Sequence, residues 1–491
     1  MVRRALYLIA MVALLLAVAV TVGTLRLTSR QLAVRTAAPI AVDEAAAAGR
    51  LAAAVRFATI SYDTPSAESD AEFLRLRAYL EQTFPHVHAA LQREIVGGYS
   101  LLYTWPGRDH AAKPIMLMAH QDVVPVAAGT ESDWHAAPFA GVIRDGFVWG
   151  RGTWDDKGNL MAILEAVEML AAQGFEPRRT IYLAFGHDEE NGGPQGAKAI
   201  EALLAARGVR LDFVTDEGLL ITDGMLPGLS HPAALIGIAE KGSLTLRLTA
   251  NEAPGHSSMP GARSAIGDLA TALDRLEHAP MSASIGGVPA RMLETLAPEM
   301  RGAQRVLLSN LWLFGPLVRI GLEGSPATNA LLRTTTALTI VRAGNKDNVL
   351  PGKAEAVVNF RLVPGDSIES VIAHVRGVIR DDRIHIDVVP GSSEASPVAS
   401  TNSAPYRLIE GSVRDLFPGV LVAPGLMIAG TDSRYMAPIA DNVLKFSPVR
   451  ARSEDLSRFH GTDERISISN YAELIRFYHR LISSAAAAQP G

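Results

Sequence analysis

The chain has 491 residues, 48% hydrophobic and 20% charged, with a formal net charge of -5. That length calls for two or three domains rather than one core, and a mildly acidic chain without a basic stripe of interleaved aromatics argues against a nucleic-acid surface. It contains no cysteine, which excludes disulfides, thiolate ligands and a cysteine nucleophile, so any metal must be held by His, Asp and Glu.

At the N-terminus, Arg3 and Arg4 precede an uninterrupted apolar run over 5–23, just under the roughly 20 residues that span a bilayer. As an uncleaved anchor it keeps the arginines on the cytoplasmic side. As a secretory signal it uses a shorter apolar core and a cleavage site at Ala17-Val18-Ala19. Both readings put the rest of the chain outside the cytoplasm, and the anchor accounts for the whole run. A polar, irregular stalk over 24–42 completes this first segment, 1–42.

An Ala-rich helix over 43–57 opens the folded part. Apolar runs at 115–119, 180–185 and 211–214 read as buried parallel strands. Between the first two, Leu160, Ile163, Leu164, Val167 and Leu170 share one helical face. This alternation predicts an α/β fold with a doubly wound, mostly parallel sheet. From 241 the pattern changes to alternating strands at 243–250, 337–341, 354–362 and 384–389, with helices at 265–276 and 368–379. They predict a smaller α+β, ferredoxin-like domain at 241–395, inserted into a catalytic domain made of 43–240 and 396–491. Within the insertion, 305–322 is rich in Leu, Val, Trp and Phe. Asn310, Pro316 and Arg319 argue against a second span there and for an apolar helix or lid packed on the domain. The C-terminal part carries strands near 421–428 and 443–446 and a last helix over 470–482.

Where the strands stop matters most. The first is followed by His120-Gln121-Asp122, the second by His187-Asp188-Glu189-Glu190, and the third by Asp216-Glu217. Ligands of open α/β sheets gather at the carboxyl ends of strands. Asp155-Asp156-Lys157 and Phe459-His460-Gly461 add further ligand types. Any one of these segments is as ordinary as a solvated acid pair, but three consecutive buried strands ending this way are not. Hard divalent cations take carboxylate oxygens and imidazole nitrogens, and two adjacent cations share a carboxylate.

HQDVVP at 120–125, GRGTWDDKG at 150–158, GHDEENGG at 186–193, DEG at 216–218, GHSSMP at 255–260 and FHGTDERI at 459–466 resemble the zinc metallopeptidase family of carboxypeptidase S, aminoacylase and bacterial glutamate carboxypeptidase. The resemblance covers about 45–485 and is closest to the branch of carboxypeptidase S and the N-fatty-acyl-amino-acid hydrolase. It implies a catalytic α/β domain interrupted by a lid or dimerisation domain, and a site with two Zn2+ or another divalent metal such as Co2+ or Mn2+. The implied metal ligands are His120, Asp155 as the bridge, Glu190, His460, and either Asp216, which spacing favours, or its neighbour Glu217. A cis peptide is implied after Asp155. Asp122 would orient the His120 ring, Glu189 would be the general base, and His256 would stabilise the oxyanion, across a homodimer in some relatives. Asn348, Arg361 and the loop from Gly430 would bind the substrate's free carboxylate. The implied activity is hydrolysis of the amide next to a C-terminal amino acid with a free carboxylate, in short peptides or alternatively in N-acyl, including fatty-acyl, amino acids. A non-catalytic metal- or peptide-binding protein on the same scaffold would be expected to lack Glu189 or His460; both are present.

Overall fold

The computed structural model describes residues 2–34, 38–62, 64, 66–226 and 228–487. Six strands of the large sheet come first: β1 (Gln92–Val96), β2 (Ser100–Trp105), β3 (Ile115–His120), β4 (Ile181–Gly186), β5 (Leu211–Thr222) and β6 (Ala233–Glu240). Four more, β7 (Gly242–Asn251), β8 (Thr335–Ala343), β9 (Lys353–Leu362) and β10 (Ile384–Val388), build a separate sheet ordered β8-β9-β7-β10. The chain then returns to the first sheet with β11 (Leu421–Met427) and β12 (Ala440–Ala451), completing the order β1-β2-β4-β3-β5-β12-β6-β11.

This eight-stranded sheet is mixed rather than mostly parallel. β3 runs parallel to β4 and β5, β12 to β5, and β11 to β6. The β1–β2 hairpin, which the sequence reading does not contain, adds an antiparallel edge through Gly97 and Gly98, both at positive φ. Both faces are covered, as doubly wound sheets require. Ile115 and Leu117 of β3 pack with the helices Glu44–Val55, Lys157–Ala172 and Ile468–Ala486, while Met116 and Met118 face the helix Ala197–Ala206. That division follows from the two-residue alternation of a strand.

β5 departs from expectation. It does not stop before Asp216 but runs through it to Thr222. Its pairing with β12 slips between Lys445↔Asp216 and Phe446↔Leu219, a bulge beside Gly218 at φ 140. Bulges re-aim side chains, and this one falls at the site.

In the second sheet the helices Ala265–His278 and Ile368–Ile379 pack on one face, burying Leu246, Leu248, Val358 and Phe360 against Leu269 and Val375. Both helices start at a capping serine, Ser264 and Ser367.

The N-terminal helix extends over Val2–Arg26, with none of its residues buried. The described residues after it, 27–34 and 38–43, are irregular, and the first of these stretches is fastened to the body. Gln31 exchanges two hydrogen bonds with Val422, at 2.9 and 2.7 Å, and Arg414 donates to the Leu32 carbonyl at 3.2 Å. Positions 35–37 of that stalk lie outside the described residues. The apolar 305–322 segment is two helices, Gly302–Ser309 and Leu311–Glu323, bent by 120°. Its second helix is half-buried through Leu311, Phe314, Val318 and Leu322, and leaves Trp312, Leu317 and Ile320 facing outward.

Candidate metal centre and substrate cleft

His120 ends β3 and is paired in register with Gly186, the last residue of β4, so both strands deliver their following residues to one place. Glu189 and Glu190 sit in the single turn Glu189–Asn191 directly after β4. Asp155 closes the glycine-bearing loop before the helix Lys157–Ala172, and the Asp155-Asp156 peptide is cis. His460 arrives from the far end of the sequence in a left-handed conformation, φ 57, with Phe459 stacked on its ring at 4.6 Å.

Asp155 stands at the centre of the cluster. Its Oδ1 is 3.0 Å from His120 Nε2 and its Oδ2 is 2.7 Å from His460 Nε2. Glu217 Oε1 lies 3.4 Å from His120 Nε2, and Glu190 Oε2 lies 3.4 Å from His460 Nε2. One carboxylate therefore faces two imidazoles, each with its own second acid. Ligand atoms of His120, Asp155 and Glu190, and of His120, Asp156 and Glu217, lie within 4.8 Å of one another.

Asp216, favoured by spacing over Glu217, points elsewhere. Its oxygens accept from the amides of Ser433, at 2.8 Å, and Glu217, at 3.0 Å. The bulge in β5 separates the aims of these two neighbours: Glu217 turns to His120 and Asp216 braces the 430–434 loop.

Asp122 is fully buried beneath the centre. The Nδ1 of His120 is 3.0 Å from the Asp122 main-chain oxygen and 3.4 Å from its carboxylate. The carboxylate also accepts from the amides of Glu189 and Glu190, at 3.2 and 3.1 Å, and from Ser61 Oγ at 2.6 Å. One acid thus positions a histidine and the turn that carries two glutamates. Ser61 carries no motif that would have marked it. Glu464 does lie inside a motif, yet spacing alone does not single it out. Its Oε1 accepts from the amides of Gly152, Trp154 and Asp155, and its Oε2 from Arg151 at 2.7 Å. Asp432 is buried between Gly186 and Gly193, and a Cβ on either glycine would meet its carboxylate at 2.4 or 2.0 Å.

The electrostatics are those of an anionic pocket. Burial pushes the Asp155 carboxyl up, but its hydrogen bonds with His120 and His460 hold it well below the usual carboxylate range. Burial and the charge of Asp155 push Glu217 up to about 8. Burial and neighbouring acids raise Glu189, and burial raises Glu190. Hydrogen bonds to Asp155 and Glu190 push the His460 imidazole up to about 10. The Oε1 of Glu190 and both carboxylate oxygens of Asp432 are buried without a hydrogen-bond partner among the described residues. Crowded acids with an unpartnered oxygen beside imidazole nitrogens, and no thiolate, make a donor set that fits divalent zinc, cobalt or manganese.

The remaining candidates lie on the second sheet and on the 430–434 loop. His256 and Asn348 meet on a short ladder, His256 opposite Val349, with Ser257 N donating to the Asn348 carbonyl at 3.1 Å. The His256 ring is exposed and its Nδ1 accepts from the Ser258 amide at 3.1 Å. No hydrogen bond or ion pair links His256 or Asn348 to the acid–histidine cluster among the described residues. Arg361 projects from β9, its pKa lowered by burial and by the charge of Arg434. Arg434 donates to the Gly192 carbonyl at 2.6 Å and lies over the Tyr435 ring. A Cβ at Gly430 would come within 2.8 Å of its guanidinium. Two neighbouring guanidinium groups, neither paired with a carboxylate among the described residues, make an anion-seeking corner beside the acids.

Residues 116–484 match the model of Peptidase family M20/M25/M40. The chain is 44% identical to the probable carboxypeptidase S-like 2 of Dictyostelium discoideum, over 94% of this chain and 90% of that one. It is 43% identical to the N-fatty-acyl-amino acid synthase/hydrolase PM20D1 of Xenopus tropicalis, over 89% and 85% of the two chains. The fold is similar to that of the M20 family metallo-carboxypeptidase Sso-CP2 of Sulfolobus solfataricus, with a TM-score of 0.63 at 19% identity over 90% of this chain and 99% of that one. This chain belongs to the M20/M25/M40 peptidase family and is a hydrolase of peptide or related amide bonds.

Proposed function

We propose that the chain is a dinuclear zinc-dependent hydrolase of the amide bond that joins a peptidyl or acyl group to an amino acid with a free carboxylate. One observation carries this reading: the two oxygens of Asp155 face two different histidines, with Glu217 beside one and Glu190 beside the other. His120, Asp155 and Glu217 would hold one cation, and Asp155, Glu190 and His460 the second. Bound there, the cations lower the pKa of a water towards 7 and polarise the scissile carbonyl.

The chain's own groups do the rest. Glu189 takes the water's proton on a carboxylate oxygen and passes it to the departing amine. Asp122 keeps the His120 ring and the Glu189–Glu190 amides in place. Arg361 and Arg434 take the substrate carboxylate, for which a planar guanidinium offers paired donors, and Asn348 and Gly430 line that pocket. His256 donates to the developing oxyanion, reaching it by closure of the 241–395 insertion or from a second copy in a homodimer. Glu189→Gln should keep its metal and lose about 10²–10⁴ in turnover; near-normal turnover refutes the role of Glu189.

Two substrate classes fit, carboxypeptidase cleavage of short peptides and hydrolysis of N-fatty-acyl amino acids. The names of the PM20D1 relatives, at 40–43% identity, favour the second. Release of an amino acid from a dipeptide compared with release from an N-lauroyl amino acid separates them. The exposed apolar helix Val2–Arg26 supports a location outside the cytoplasm, with the helix kept as an anchor or removed as a signal.

A further inference from the structure

The helix Leu311–Glu323 presents Trp312, Leu313, Pro316, Leu317, Ile320 and Gly321 to solvent. These positions recur every three to four residues and form one continuous stripe without a charge or a hydrogen-bonding side chain except the Trp312 indole. Trp312, Leu317 and Ile320 are 62%, 56% and 60% exposed. The charges of the helix lie at one edge of this stripe: Arg319 pairs with Glu323 at 2.9 Å, and Glu323 also pairs with Arg333 at 2.9 Å. A helix on a water-facing surface would carry charged and polar residues where Leu313, Leu317 and Ile320 stand.

The same hairpin grips the end of the N-terminal helix. Asn310, buried at the bend, donates through Nδ2 to Thr24 Oγ1 at 3.0 Å and to the Val20 carbonyl at 3.3 Å. Gly23 makes room for it, since a Cβ there would come within 2.4 Å of Asn310 Oδ1. Arg305 donates to the Leu27 carbonyl at 3.2 Å. The chain beyond is fastened through Gln31 and Val422, so the body does not hang from a loose tether. Wherever the N-terminal helix enters a bilayer, the apolar stripe of Leu311–Glu323 is held beside the point of entry.

We propose that Leu311–Glu323 is a second membrane contact, lying flat in the interfacial layer of the bilayer that the N-terminal helix crosses, and that it holds the cleft at the surface from which amphiphilic N-acyl amino acids are drawn. The proposal rests on the anchor reading of that helix. Thirteen residues at about 1.5 Å each reach only about 20 Å, too short for a hydrocarbon core of about 30 Å, so the helix lies along the surface. An interfacial tryptophan suits that depth.

The chain has no cysteine, so Leu317→Cys can carry a single environment-sensitive fluorophore on the full-length protein. Val341→Cys, exposed on the second sheet, serves as the control. Trp312 is the one exposed tryptophan of five, the others being buried, and it reports without any label. In phosphatidylcholine–phosphatidylglycerol vesicles the label at 317 should shift to the blue and be quenched by brominated lipid, Trp312 should be shielded from iodide, and the label at 341 should stay in water. Leu317→Lys should slow hydrolysis of a vesicle-borne N-lauroyl amino acid about tenfold and leave a soluble dipeptide unaffected.

The intact mass of the same preparation reports whether residues 1–26 are retained. A retained helix with the 317 label in water overturns the contact and leaves the anchor standing. If 1–26 are absent, the anchor reading fails and the proposal, which rests on it, is overturned with it. Shielding at 317 without lipid quenching, together with a dimer mass, assigns the face to a second copy and overturns the proposal.

Discussion

Glu464→Gln isolates the device that ties the two ends of the proposed metal centre together. The Glu464 carboxylate accepts three amide bonds, from Gly152, Trp154 and Asp155, and an ion-paired bond from Arg151 at 2.7 Å, with both side chains buried. Arg151 in turn donates to the carbonyls of His460 and Gly461 at 3.2 and 3.0 Å. The loop bearing Asp155 and the loop bearing His460 are therefore locked through one pair. Glutamine keeps a single acceptor oxygen, so its NH2 must face either Arg151 or the three amides, donor against donor. Breaking a buried pair from one side costs about 3–5 kcal/mol. At roughly 2 °C per kcal/mol for a domain of this size, the first thermal transition should fall by about 6–10 °C. Disturbing the group that orients a ligand costs about 10–100-fold in metal affinity, so a chelator-competition titration should show weaker zinc binding. Replacing both partners, Arg151→Met with Glu464→Leu, should cost less stability than the sum of the single changes. A Glu464→Gln protein that melts within about 1 °C of the parent, well inside the shift expected for a broken buried pair, and binds zinc equally well refutes the reasoning.

Glu217→Gln should lose one metal equivalent per chain by elemental analysis, while Asp216→Asn retains both; the reverse pattern would return the ligand role to Asp216. Lys241 is pushed down to about 8 by burial and the charge of Arg361, against an ordinary value of 10.5. Between these two values only the unfolded chain holds the proton, so stability should rise with pH across that window. Lys241→Met should flatten the rise in guanidinium midpoint there. Gly193, at φ 68 with a Cβ position 2.0 Å from Asp432 Oδ1, should not tolerate alanine: the backbone strain alone is about 1–3 kcal/mol, read as a lowered melting temperature.

What the sequence makes legible is set by periodicity and by strand ends. His120 and the 187–190 turn fall after strands whose apolar runs are plain, and the register between β3 and β4 brings them together. The helices Ala265–His278 and Ile368–Ile379 appear where the periodicity places them, because each has a serine cap and a clean apolar face. The β1–β2 edge is not legible. Gln92–Val96 alternates weakly and is partly exposed, so its place depends on pairing with β2. The aim of a side chain is not legible either. Asp216 and Glu217 are adjacent acids of similar type, and only the slip between β5 and β12 turns Glu217 towards His120.

The 305–322 segment shows the same limit in another form. Asn310 and Arg319 count against a membrane span, and the helices are indeed too short and too bent for the segment to cross as one straight helix. It does not follow that an apolar helix with polar residues is buried with its apolar side inward. The second helix carries apolar residues on both sides: Leu311, Phe314, Val318 and Leu322 are half-buried against the body, while Trp312, Leu317 and Ile320 face outward. Composition records how much apolar surface a helix carries, not how much of it the body covers.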